Sequence, residues 1–107
     1  MDRDNLLINH IRDAITAIES HTKGISQDEF FSNKLVQDGV IRQILVVGEA
    51  TNHLSESFKE KHFQIPWFAI TGMRNQLVHG YFQVDIKEVW KTVTEDIPML
   101  KTEIEKL

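Results

Sequence analysis

In the stretch "MRNQLVHGYFQVD", Met73 to Asp85, an arginine, an asparagine, a histidine and a tyrosine fall within the eight positions from Arg74 to Tyr81. A guanidinium is charged at every physiological pH and can hold two anionic oxygens through parallel hydrogen bonds. An imidazole exchanges its proton near neutrality and can act as general base or general acid. Asn75 and His79 are four apart and share a face of a helix, while Arg74 lies slightly off that face. Gly80 then releases the chain from helical geometry, which lets Tyr81 fold back so that Arg74, His79 and Tyr81 converge on one small concavity. A plainer reading uses the same residues. His79 complements the dipole of a last helical turn, Gly80 is a C-cap, and Tyr81 is an aromatic at the core edge. Spacing alone leaves both readings open.

Other chemistry-bearing residues are thinner. Glu49 and His53 are four apart on one helix face, but a carboxylate metal site in a helical bundle draws ligands from several helices, and one pair is too few. His10, His21 and His62 sit among polar residues and read as surface. There is no glycine-rich phosphate loop, no HExxH and no serine in a nucleophile elbow. Ser55, Ser57 and Thr71 have no evident base beside them. Neither a metal nor a cofactor is expected. Trp67 and Trp90 fall on apolar helix faces, as core or interface residues would.

The chain that must position these residues has 107 of them and no cysteine, which excludes disulfides and thiolate metal sites. A hydrophobic fraction of 41% with 26% charged residues fits one folded domain, residues 1–107. No apolar run approaches the roughly 20 residues of a membrane span, and "MDRDNLLINH" has no apolar leader core. No membrane association is expected, and a cytoplasmic location is the default. The net charge of −4 and the absence of a Lys/Arg run argue against an extended nucleic-acid-binding face. Any such contact must be local or assembled from more than one chain.

The periodicity is helical throughout. Leu7, Ile11, Ala14, Ile15 and Ile18 predict a first helix ending near Ser20 or Thr22, with Gly24 as terminator. Ser26 and Glu29 have capping-box spacing and start a short helix through Phe31. A long helix is expected from about Lys34 to Ser57, interrupted by Gly39 and Gly48, each costing about 1 kcal/mol relative to alanine. Such glycines imply close approach of another backbone, for which a second subunit is one source. Pro66 suits the first turn of a helix running to His79. Asp85 and Glu88 repeat the capping-box spacing before a last helix carrying Ile86, Val89, Trp90, Val93, Ile97 and Leu100, with a kink or break at Pro98. The expected fold is all-α, an up-down bundle of four main helices plus a short one.

Taken together, these residues resemble the HepT-like branch of the HEPN superfamily. Arg74, His79 and Tyr81 match its Arg-x-x-x-x-His-x-Tyr signature. "QDGVIRQILVVGEATNHLS", with Arg42, Gly48, Glu49 and Ala50, is similar to its central helix. "IPWFAITGMRNQLVHGYFQVDIKEVW", with Trp67, Asn75, Asp85 and Trp90, is similar to its second half. The resemblance runs from the first helix to about Leu100, and Gly39 departs from it where the family often has alanine.

The resemblance implies a metal-independent endoribonuclease toxin that acts as a homodimer, with the Arg/His motifs of two subunits meeting at the interface. Arg74 and His79 would then be catalytic, and Asn75 would support them. RNA supplies its own nucleophile, the 2′-OH, so the protein need only move protons and stabilise charge on phosphorus. The family partner is an MntA-like minimal nucleotidyltransferase antitoxin, which adds AMP to the motif tyrosine, here Tyr81. Two alternatives remain from the residues themselves. One is a non-catalytic nucleotide-binding or scaffolding subunit of a nucleotidyltransferase complex. The other is a structural helical dimer in which the motif only ends a helix.

Overall fold

The computed structural model describes residues 2–79 and 84–107, with Val78 and His79 described by their backbone alone. Helix α1, Arg3–Thr22, buries Ile8, Ile11, Ala14, Ile15 and Ile18, the stripe that its periodicity predicts. Gly24 follows at φ +72°, the left-handed turn that only glycine adopts without cost. Helix α2, Gln27–Ser32, opens with the expected capping box: the Glu29 N–H donates to Ser26 Oγ, and the Ser26 N–H to Glu29 Oε1. Its Phe30 is fully buried, with its ring 4.9 Å from that of Trp90. Gln37 closes the far end by donating to the carbonyls of Phe30 and Phe31.

Helix α3, Lys34–His53, is the central element and packs chiefly against α1 and α5. It buries Val40, Ile44, Val47, Ala50 and Thr51, and the Thr51 hydroxyl donates to the Val47 carbonyl at 2.8 Å. The helix stops four residues short of the expected Ser57. Leu54 takes an extended conformation, and Ser55 starts a separate short helix, α4, Glu56–Lys61. A distant residue bonds to this break. Asp4 accepts from the Ser55 N–H at 2.9 Å and the Ser55 hydroxyl at 2.6 Å, while Ser55 Oγ caps α4 at Phe58. These bonds hold the Asp4 carboxyl below its ordinary pKa.

Helix α5, Trp67–His79, begins one residue after Pro66, whose carbonyl takes the first turn's bond from Ile70. Trp67 is buried and its indole N–H donates to the His62 carbonyl. Helix α6, Ile86–Lys91, is capped by Asp85 through the Lys87 N–H at 2.9 Å, so the expected Asp85–Glu88 box does not form. The last helical stretch does not break at Pro98. It widens into a π-turn over Thr92–Asp96 and continues as α7, Ile97–Glu105. The widening lies where the proline ring would otherwise meet the carbonyl four residues earlier. Ile97, Leu100 and Ile104 of α7 close the core against α1, and Arg12 of α1 donates to the Ile104 carbonyl.

The described residues are helices and their connections, with no strand among them, so the architecture is the expected all-α one. Every buried side-chain polar atom among them has a hydrogen-bond partner. None of the described helices is long and apolar enough to cross a membrane.

Candidate phosphate-binding site at the crossing of α3 and α5

Helix α5 comes close to α3 at Gly48. A methyl group there would overlap the Cβ of Arg74 and lie 2.5 Å from its Cγ and 3.4 Å from its Cα. The stem of Arg74 therefore rests directly on the α3 backbone. The close approach expected at Gly48 is real, but it comes from α5 of the same chain.

From that seat the guanidinium reaches two partners. Its Nη2 pairs with Glu49 Oε2 at 2.7 Å, and its Nη1 donates to Asn75 Oδ1 at 2.9 Å. Glu49 in turn holds His53, one turn further along α3, with Oε1 3.0 Å from Nε2. Four side chains thus form one line, Asn75–Arg74–Glu49–His53. The Arg74 side chain is 27% exposed, while Glu49 and His53 are near half exposed. An ion pair this open contributes about 1 kcal/mol or less to stability, so its geometry matters more than its energy. Arg74 has five N–H donors. Two are engaged, which leaves donors for an incoming anion.

Of the residues singled out by sequence, Arg74 and Asn75 are in direct contact. His79 is the last residue of α5, and its side chain lies outside the described residues. Tyr81 lies wholly outside them, as does Gly80. Glu49 and His53, which their spacing offers as a metal pair too small for a site, are both tied into the Arg74 line. Among the described residues no three His, Cys, Asp or Glu side chains gather as a metal site. The signal for Glu49 is its place beside Gly48, a glycine inside a helix where another element comes close.

A cleft of about 460 Å³ between α5 and the C-terminal helices is lined in part by Ala69, Gly72, Met73, Leu77 and Met99. It is apolar, and its charged lining residues are the carboxylates of Asp85, Glu88 and Asp96, the wrong sign for a phosphate. Arg74 lies outside it. The exposed Phe63 and Phe68 mark the N-terminal end of α5.

The described residues form an all-helical fold in which a half-buried arginine is held where two helices meet. The model of the ribonuclease HepT-like family matches residues 11–107, and the chain belongs to that family. It is 43% identical over 100 residues to a protein of Thermococcus cleftensis named "Probable ribonuclease HepT", covering 94% of this chain and 91% of that one. It is 44% identical over 102 residues to a protein of Methanocaldococcus jannaschii named "Gamma-glutamylcyclotransferase and putative RNase". That match covers 95% of this chain but 46% of the relative, so the chain spans about half the relative's length. A Caldanaerobacter subterraneus protein named "Putative RNase" is 32% identical over 100 residues, covering 94% of this chain and 89% of the relative. No solved structure gives a significant match.

Proposed function

We propose that this chain, acting as one 1–107 domain, is a metal-independent endoribonuclease and the toxin of a toxin–antitoxin pair. The observation that carries the reading is the Arg74 guanidinium, seated on Gly48 and braced by Asn75 and Glu49, in a chain of the HepT-like ribonuclease family. The relatives' names, "Probable ribonuclease HepT" and "Putative RNase", support the same reading.

The chemistry follows from the residue types. Arg74 binds non-bridging phosphate oxygens and holds them more strongly as charge builds on phosphorus. His79 takes the proton from the 2′-OH as this oxygen attacks the adjacent phosphorus. The P–O5′ bond breaks, a proton passes to the departing 5′ oxygen, and a 2′,3′-cyclic phosphate and a 5′-OH result. In a homodimer, two motifs meet across a twofold axis and the second His79 serves as the acid. Two Arg74 side chains at one site also offset the acidity of the chain. A minimal nucleotidyltransferase of the MntA type closes the site by transferring AMP from ATP to the Tyr81 oxygen, with release of pyrophosphate. The added phosphate then competes with RNA for Arg74. The pair operates in the cytoplasm.

The test is RNA cleavage by the chain alone in excess EDTA, beside His79→Ala. Cleavage that survives chelation and disappears in the variant is the expected result. Cleavage lost on chelation, or retained in the variant, rules the mechanism out. Tyr81 is the only tyrosine in the chain. Intact mass after incubation with the partner and ATP should rise by whole AMP units in wild type and stay unchanged in Tyr81→Phe. A second reading, a non-catalytic nucleotide-binding or scaffolding subunit, is favoured by the net charge of −4 and by the anion already paired with Arg74. It predicts nucleotide binding without RNA cleavage.

A further inference from the structure

We infer that Glu49 is the positioning residue of the Arg74 site, aiming the guanidinium through a carboxylate that His53 holds from its other side. The inference rests on the ribonuclease reading for its catalytic consequence and on geometry for the rest. Three constraints converge on Arg74. Its Cβ and Cγ are pressed against Gly48, which removes freedom at the base of the side chain. Asn75 takes one N–H of Nη1, and Glu49 takes one of Nη2, so both ends of the fork are fixed. Glu49 is not free to follow a wandering arginine, because its second oxygen is bonded to His53.

The consecutive residues Gly48 and Glu49 thus do two jobs at one place on α3. The first seats the arginine stem and the second sets the angle of its head. A plain surface ion pair does not account for this, since a half-exposed pair adds little stability. A metal ligand does not account for it either, because Glu49 spends one oxygen on a guanidinium. Glu49 also carries a charge that repels phosphate. Its removal should therefore leave RNA binding intact or tighter while the rate falls, because a loose guanidinium binds an anion but meets the transition state poorly.

The experiment combines three readouts on wild type, Glu49→Ala and Glu49→Gln. They are cleavage kinetics on a short RNA, affinity for the same RNA with 2′-O-methyl groups, and nitrogen-15 spectra of the Arg74 guanidinium. Glu49→Ala should lower kcat at least tenfold, leave Kd for the uncleavable RNA unchanged or lower, and merge Nη signals that wild type keeps resolved. Glu49→Gln retains an oxygen that accepts from Arg74, so it should recover part of kcat. Unchanged kcat in Glu49→Ala, or Nη signals that ignore the substitution, would overturn the proposal. So would a loss of rate matched by an equal loss of RNA affinity. If wild type cuts no RNA, the ribonuclease reading fails by itself. The guanidinium spectra then still decide whether Glu49 orients Arg74.

Discussion

Gly39 and Gly48 stand on the same helix, nine residues apart, which is about two and a half turns and puts them on opposite faces. Both weaken α3 by the same intrinsic amount. Their surroundings differ. A Cβ at Gly39 would meet first the ring of His21, at 3.3 Å from Cδ2 and 3.4 Å from Nε2, and His21 is exposed and can swing away. A Cβ at Gly48 would collide with the root of Arg74, which cannot move without α5. One glycine is incidental to the packing. The other is the reason a cationic side chain from a second helix can lie on α3 beside Glu49.

The largest effect that follows is at Gly48. Gly48→Ala should destabilise the chain by about 3 kcal/mol, read from urea unfolding, and should abolish RNA cleavage by displacing Arg74. A variant as stable as wild type would remove the basis of the comparison. Pairing it with Arg74→Gly takes away the two atoms that the new methyl meets first. The double variant should then be more stable than the sum of the two single changes by about 2 kcal/mol, which a double-mutant cycle measures. Additive costs would mean that the two positions do not touch.

Gly39→Ala should do the reverse of Gly48→Ala. With His21 swung aside, the gain in helix propensity raises stability by about 0.5 kcal/mol and leaves cleavage as it was. Destabilisation there would make the two glycines alike after all. The smallest effect lies at the other end of α3, where Asp4 ties α1 to Ser55. The Asp4 pKa is lowered by those bonds, so its contribution is present above the ordinary aspartate range and is lost as pH falls through the folded-state value. Asp4→Asn should flatten the acid limb of the stability profile slightly and spare cleavage, separating a local tie from the crossing that holds the site.

Much of this was legible in the chain itself because it is local. The stripe of α1, the stop at Gly24 and the Ser26–Glu29 box each depend on residues within a turn or two of one another. The end of α3 was not legible. Leu54 continues the apolar spacing, and the break is tied to Asp4, 51 residues upstream of Ser55. The site divides in the same way. Arg74 and Asn75 announce themselves by type and spacing, and Gly48 announces that something comes close. Nothing in a linear reading says that Arg74 is what comes close, or that Glu49 will take its Nη2. That link joins two helices and exists only once they cross.

The measurement that bears most directly on the account is the rate of RNA cleavage by wild type and Arg74→Ala in excess EDTA, with thermal unfolding of both proteins alongside. The account predicts that cleavage falls by about two to three orders of magnitude while the unfolding midpoint moves by less than about 5 °C, since the ion pair lost is half exposed. Wild-type rates in Arg74→Ala, with the fold intact, would contradict it.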